Sequence, residues 1–455
     1  MGIGIMKKGT IGSDQKPWMK LVRWVIGWPL FLGGIWFFVI PGLTVCWYLG
    51  TDTGLHGEGV SKFAYRRHQL LSDDYARYAR DRIASGKAQT LHTSQIAETE
   101  WPLFGSCFYL WATESLQDAW EKDPGLSKRA PKVYARAAID AAKDLVLDPG
   151  HAKWVKDHWG EDYLGKENVF YRMLVISAIV SHHNLTGSDE HFELLRDQSD
   201  RLIREIDASP HGILDDYPGQ CYPTDVVAAI GAIQRADKVL GTDHGAMIKR
   251  SLRAFSGSMV GPYGLPAYAA ESGTGRRFDD SRGCGNSYFT TFAPGIWPTE
   301  DPGWYEAYAK HYWQEDRFVA GFREFPLGTS DDYYMDVDAG PVLGGWGTAA
   351  TAFGIGAARV NGRFDHASAL SYEMLAASWP LANGTMLFPR LFSNGEHAPY
   401  LGEVAILFQL SREPVHGEAA VAGRGSIPAC VWLMLLGYAC LTMLTCWPGW
   451  RLIRS

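Results

Sequence analysis

Residues Gly165–Asp243 read GKENVFYRMLVISAIVSHHNLTGSDEHFELLRDQSDRLIREIDASPHGILDDYPGQCYPTDVVAAIGAIQRADKVLGTD. Apolar residues recur at three- and four-residue spacing over Val169–His182, His191–Ile206 and Val226–Leu240, which is the period of packed helices. The connection Thr186-Gly187-Ser188-Asp189 is short, and Ser188-Asp189-Glu190 suits an N-cap followed by an acidic first turn. The connection 208–223 is long and rich in Gly, Pro, Asp and Tyr. Helical hairpins with short turns at one end and elaborate loops at the other describe an (α/α)6 toroid. The loop Asp215-Asp216-Tyr217-Pro218-Gly219-Gln220-Cys221-Tyr222-Pro223-Thr224-Asp225 is too dense in acids, tyrosines and a thiol for a simple turn. Long loops of this kind in a compact domain are usually functional.

The same pattern extends both ways. Helical spacing recurs in Phe63–Ile83, Phe104–Trp120, Val133–Leu147, Met247–Phe255, Trp304–Phe318, Val342–Val360, Ala367–Ala377 and Leu401–Leu410, with a short helix expected near Tyr288. Further long loops fall at 258–286, 322–341 and 381–399. Alternating strand patterns are nearly absent, so the chain reads as all-α, a barrel of about twelve helices over residues 60–420. No repeat of constant length marks a solenoid.

Outside that body, 24–49 and 427–450 contain no charged residue, and roughly 20 apolar residues suffice to span a bilayer. The alternative for each is a buried core helix. Lys7, Lys8, Lys16, Lys20 and Arg23 precede the first run and Arg451 and Arg454 follow the second, while Asp52, His56 and Glu58 lie on the other flank. Positive flanks stay cytoplasmic. Residues 1–23 are therefore expected in the cytoplasm, the spans in the inner membrane and the large body outside it; Arg424 is the one flank charge opposed to this. The net charge of −7, without a basic block, argues against nucleic-acid binding. Of seven cysteines only Cys107, Cys221 and Cys284 fall between the runs. No CxxC or HExxH occurs, so no metal site and no cofactor are expected.

Three segments carry candidate chemistry. In 215–225 the adjacent Asp215 and Asp216 point to opposite sides of an extended backbone, so at most one faces a pocket. Asp225 reads either as a helix-terminal charge or N-cap or as a catalytic acid, and Cys221 either as a nucleophile or as a small buried residue. In 322–340, Glu324, Asp331, Asp332, Asp336 and Asp338 crowd around Arg323 and Tyr334. Carboxylates packed this closely raise one another's pKa, which suits a general acid. The structural alternative is an Arg323–Glu324 ion pair with aspartates as caps. In 276–288, Cys284 and Tyr288 stand at the opening of a helix, with a solvated loop and a core tyrosine as the alternative. His182-His183, His397 and the sequon Asn184-Leu185-Thr186 are isolated features.

Lys166-Glu167-Asn168-x-x-Tyr171, the Thr186-Gly187-Ser188 turn, Arg204-Glu205-Ile206, Gly212-Ile213, Gln220-Cys221 and Gly241-Thr242-Asp243 follow one another in an order that resembles the linalool dehydratase/isomerase family. The likeness continues through Ser287-Tyr288, Arg323-Glu324 and 340–347, over about half the chain. It implies an (α/α)6 barrel and cofactor-free removal or migration of a hydroxyl on a terpenoid alcohol. It places Cys221 on one of the family's two active-site cysteines and Tyr288 on an active-site tyrosine. Leu174 stands where the family has its catalytic histidine; the second cysteine has no counterpart, and Glu114 lies near the region of an early-helix aspartate.

The expected catalytic set is therefore Cys221, Tyr288, Asp215, Asp216, Glu324 and Asp336, with Tyr171, Tyr222, Cys284, Tyr334 and Asp338 contacting substrate. The first function expected is a lyase or isomerase acting on an apolar, isoprenoid-like alcohol. A glycan-active enzyme using paired carboxylates and a non-catalytic envelope component are the alternatives. The expected partners are a small apolar or glycan substrate and a lipid bilayer; a homo-oligomer is left open.

Overall fold

The computed structural model describes residues 17–57, 59–415, 417, 420–423 and 426–454. Lys7, Lys8, Lys16, Glu58 and Arg424, used above to orient the chain, lie outside the described residues. The protein is mostly helical, with a few short strands. The first apolar run is α1 (Pro17–Gly34), a π turn (Ile35–Val39) and α2 (Ile40–Thr51). The body follows as α3 (Lys62–Ala84), α4 (Trp101–Lys122), α5 (Arg136–Leu147), α6 (Val169–Thr186), α7 (Phe192–Ala208), α8 (Pro223–Leu240) and α9 (Gly245–Ser251). After α9 come α10 (Gly283–Ile296), α11 (Trp304–Tyr312), α12 (Thr348–Val360), α13 (Phe364–Ala377), α14 (Leu387–Leu391) and α15 (Leu401–Leu410). The chain ends on α16 (Ala429–Arg454).

In the body, α4 packs on α6, α6 on α8, α8 on α10, α10 on α12 and α12 on α15, and α15 returns to α4. The helices α3, α5, α7, α9, α11 and α13 pack against members of that succession. Burial follows this order. Every residue of α6 from Val169 to His182 is buried, which is why that stretch reads as a near-continuous apolar run. By contrast α7 buries one stripe, Leu195, Leu202, Ile203 and Ile206, and leaves its charged face in solvent.

Several expected helices change at their ends for visible reasons. The pattern at 133–147 is interrupted at Ala135, where the backbone leaves the helical region before α5 begins. That at 304–318 stops at Tyr312, because β3 (Trp313–Glu315) pairs antiparallel with β4 (Ala320–Phe322). That at 342–360 begins only at Thr348: β5 (Tyr333–Asp336), β6 (Gly340–Leu343) and β7 (Trp346–Gly347) form an antiparallel sheet. The turn between β6 and β7 is Gly344-Gly345, with φ of +60° and +86°, a conformation that glycine adopts without strain. A fourth pairing joins β1 (Ala269–Ala270) to β2 (Arg277–Asp279). The short helix expected at Tyr288 is the 14-residue α10.

Two helical stretches, Trp18–Thr51 and Ala429–Arg454, are long and apolar enough to cross a membrane. They are not core helices, since only 22% and 11% of their most apolar windows is buried. Their faces carry Leu21, Leu43, Met443 and Leu444 at 65–70% exposure. They pack on each other in antiparallel fashion. A Cβ at Gly27 would lie 2.9 Å from Gly449 O, one at Gly34 would lie 2.6 Å from Cys446 Sγ, and Gly42 meets Tyr438. Small residues here let two backbones approach closely.

Two devices fasten this pair to the body. Buried Asp52 accepts hydrogen bonds from Gly54 N, Ser61 Oγ, Lys62 N and Phe63 N, knotting the turn from α2 into α3. The second device begins with Pro41, which lacks the N–H that an unbroken α-helix would offer to the Phe37 carbonyl. Trp379, just beyond α13, donates its indole N–H to that carbonyl at 2.7 Å and packs its ring on Tyr438 with centroids 4.2 Å apart.

Candidate active site

The first turns of α4, α8, α10, α12 and α15 converge on a cavity of about 1040 Å³. Phe104, Phe108, Phe353, Ile355, Leu370 and Ile406 give it an aliphatic and aromatic wall. At one end the wall changes character: Glu100, Asp216, Asp225 and Asp338 all face it, beside Tyr222, Tyr268, Cys284 and Tyr288. Helix N-termini carry partial positive charge, which favours carboxylates at this end.

Each acid reaches the cavity by a different route. Asp216 is anchored from both sides, Oδ1 accepting Phe170 N–H at 2.9 Å and Oδ2 accepting Tyr222 N–H at 2.7 Å. Phe170 is in the first turn of α6, so Asp216 also satisfies one of that helix's free donors. Asp225 lies in the first turn of α8, whose register is started by Pro223. Glu100 directly precedes α4 and accepts from the Tyr217 hydroxyl. Asp338 sits in the β5–β6 turn and accepts the Tyr268 hydroxyl at 2.6 Å.

Their mutual proximity and burial set the protonation. Burial and Asp338 push Asp225 up to about 8, so it carries a proton at neutral pH. Glu100 is driven well above the usual carboxylate range by burial, then by Asp338 and Asp225. Asp216 is also raised, first by burial and then by Asp225, against the two backbone donors that favour its anion. Asp338 is raised by burial, while the Tyr268 hydrogen bond and the Arg282 charge oppose the shift.

The two thiols have different settings. Cys284 lines the cavity at the start of α10; its backbone N–H and its Sγ both contact Glu324, at 3.0 and 3.1 Å. Burial, and then the Glu324 charge, raise the Cys284 thiol, so it rests as S–H. Glu324 in turn pairs with Arg282 at 2.8 Å, and Arg282 with Asp336 at 2.6 Å. Arg282 stacks over the Tyr268 ring at 4.3 Å, so the chain Asp336–Arg282–Glu324 braces both Cys284 and Tyr268. Burial pushes Glu324 up to about 7 despite that partner.

Several expected site residues lie elsewhere. Cys221 is fully buried but absent from the cavity wall; its backbone pairs with Ala270, and its thiol lies in the main core against the Leu214 backbone. Asp215 also lies off the wall: Oδ2 accepts Gly219 N–H at 2.6 Å and closes the loop, while Asp216 takes the cavity side. Tyr171 is a core residue whose hydroxyl donates to Val146 O. Tyr334 is 40% exposed on β5 and off the wall, donating to Asp336. Glu324 does not touch the cavity and acts through Cys284. Asp336 does line it, but its carboxylate is held by Arg282 and caps the N–H groups of Asp338 and Ala339.

Tyr222, Cys284, Tyr288 and Asp338 line the cavity as candidates for contact with a ligand. Tyr288 stands out among them: it is 6% exposed and its hydroxyl has no hydrogen-bond partner. Leu174 and Glu114 are away from the wall; Glu114 is bound to Arg235, Ser181 and Asn184. Glu100 and Glu373 are the wall acids that sequence reasoning did not mark, and Asp225, open there between a helix-terminal charge and catalysis, reaches the cavity. Among the described residues no group of three or more His, Cys, Asp or Glu is arranged to hold a metal ion. In comparisons with known proteins, no family model and no curated sequence matches this chain.

Proposed function

We propose that the protein is a membrane-anchored hydro-lyase or isomerase acting on an apolar, isoprenoid-like alcohol, related to the linalool dehydratase/isomerase family, with the large body outside the cytoplasmic membrane. The helix packing α4–α6–α8–α10–α12–α15–α4 supports an (α/α)6 barrel with its cavity at the N-terminal ends of the inner helices. The observation that carries the function is one large apolar cavity in which Glu100, Asp216, Asp225 and Asp338 gather at one end, while the further wall acid Glu373 stands apart from them, accepting Ala320 N–H at 2.8 Å. A hydrocarbon chain fits such walls, and a lone hydroxyl fits the acidic end. Walls of this kind offer few partners to a sugar.

The chemistry assigns each group a part. The protonated Asp225 donates to the hydroxyl oxygen as the C–O bond breaks and water leaves. Asp338, whose anion Tyr268 and Arg282 support, takes a proton from the methyl or methylene attached to the far end of the allyl system, so that the double bond shifts and a conjugated diene forms. Isomerisation is the same departure followed by return of the water to the far end of the allyl system. The unpartnered Tyr288 hydroxyl orients the oxygen.

The test is turnover of geraniol, farnesol and geranylgeraniol by the purified full-length protein in lipid nanodiscs, with dienes and allylic isomers read by gas chromatography. Activity should fall above about pH 8, where Asp225 loses its proton. Asp225→Asn should lower kcat by about 100-fold or more. If no prenyl alcohol is consumed, or if the Asn variant matches the parent, this reading fails.

A further inference from the structure

The cavity wall continues away from the acidic end to two further pieces of the chain. These are α14 and the residue after it, through Phe388, Leu391 and Phe392, and the start of α16, through Met434 and through Cys430, which is hydrogen-bonded to the wall acid Glu373. At this rim Phe388, Leu391 and Phe392 are 42%, 66% and 52% exposed. Large apolar side chains around a cavity mouth are costly in water and at home in hydrocarbon.

The height of the rim along the apolar helices can be fixed from contacts. Phe388 packs on Trp379 with ring centroids 6.1 Å apart, and its N–H donates to Ser378 O at 3.3 Å. Trp379 is bonded to Phe37 O and packed on Tyr438. The rim is therefore level with Phe37 on the first apolar helix and Tyr438 on the last.

Exposed tryptophans bracket that level on both sides, and one more, Trp36, stands beside Phe37 at the level itself. Trp24, Trp28, Trp447 and Trp450 cluster at one end, beside Lys20, Arg23, Arg451 and Arg454; Trp47 and Trp432 stand at the other. Trp is enriched at both membrane–water boundaries, and Lys and Arg at the cytoplasmic one. At ~1.5 Å per residue, Trp24 and Trp47 are about 35 Å apart, close to the ~30 Å hydrocarbon thickness with its boundaries. Phe37 lies between the belts, about 15 Å below Trp47 along the helix at the same rise.

We infer that the cavity opens sideways into the outer leaflet of the bilayer, and that its substrate arrives from the membrane rather than from water. This rests on the reading of the terminal helices as spans and of the cavity as the substrate site. The occupant is a membrane-dissolved lipid with a long, methyl-branched or unsaturated chain and one terminal oxygen. It enters between α14 and α16 with the oxygen leading toward Asp225, and its tail remains against Phe388 and Phe392. The cavity volume, at the upper limit of the roughly 300–1,000 Å³ of ordinary small-molecule sites, suits a chain of several prenyl units.

The experiment uses full-length protein in phosphatidylethanolamine/phosphatidylglycerol liposomes containing a farnesol analogue with a chain-borne diazirine. After irradiation, labelled peptides are mapped by mass spectrometry. Labelling is expected on the rim (387–392 and 430–434) and on the inner wall around Phe104 and Phe108, and unlabelled farnesol should compete with the inner label. The double substitution Leu391→Arg/Phe392→Arg, at exposed positions that should leave the melting temperature unchanged, should cut inner-wall labelling about 10-fold.

Rim labelling without inner-wall labelling, or inner-wall labelling indifferent to the two arginines, would overturn the lateral route. Labelling as expected but without turnover would leave the route standing and remove only the lyase chemistry.

Discussion

Asp225 and Cys284 owe their access to the cavity to backbone position: each sits in the first turn of a helix whose N-terminus points there. Cys221 is the counter-example, a thiol in an acid-rich loop that the Cys221–Ala270 backbone pairing turns away. This separation yields a paired prediction. Cys284→Ala should lower kcat on a prenyl alcohol by about 10-fold or more, since it removes a wall side chain and the S–H that holds Glu324 at the start of α10. Cys221→Ala should leave kcat within about twofold and reduce stability by about 1 kcal/mol, the common cost of trimming a packed side chain. The reverse pattern in kinetics and denaturant titration would return the thiol chemistry to Cys221. At this scale the sequence was legible where acids cluster locally: Asp216 and Asp338 come from the two acid-rich loops already marked. Glu100 was not, because a single acid before Trp101-Pro102 becomes a site residue only when the return of α15 to α4 closes the ring and puts Glu100 on one wall with Asp225 and Asp338. Which thiol faces inward was equally hidden, since it depends on pairing with a residue 49 positions away.

Among the elements, helix identity was plain and helix ends were not. The apolar period of α3, α4, α6, α7, α8 and α15 sets their positions within a few residues. The sheet β5–β7 escaped notice because its strands are two to four residues long, too short to show alternation. The π turn before Pro41 also has no periodic signature, yet it exposes the carbonyl through which Trp379 holds the apolar pair. Trp379→Phe keeps an aromatic ring beside Tyr438 but removes the N–H and part of the packed indole, so it should cost about 1–3 kcal/mol of unfolding free energy in detergent. Gly34→Leu should do more, because its side chain must displace Cys446 and Thr445 and separate the two helices. Disulfide trapping of a cysteine pair placed at Gly27 and Gly449 should accordingly proceed in the parent and be lost in the Gly34→Leu variant. Equal trapping in both would mean that the glycine contacts are incidental.

For the whole molecule, the antiparallel packing adds a constraint that flanking charge alone could not give. Gly27 meets Gly449 and Gly42 meets Tyr438, so the start of α1 and the end of α16 emerge on the same side of any membrane that both cross. Lys20, Arg23, Arg451 and Arg454 gather at that end, while the body hangs from the other through the Asp52 knot. On the proposed reading of both stretches as spans, the positive-inside rule would put the shared end in the cytoplasm and the body on the opposite side. Fusions of a cytoplasm-only fluorescent reporter to the N-terminus and to the C-terminus should both fluoresce. A periplasm-only phosphatase inserted after Lys128, in the exposed loop between α4 and α5, should be active in intact cells, and the same enzyme at either terminus inactive. Opposite signals from the two termini would contradict the antiparallel pair itself, whatever the orientation. Like signals with the phosphatase silent at Lys128 would instead keep the pair and invert the protein, placing the cavity mouth in the cytoplasmic leaflet.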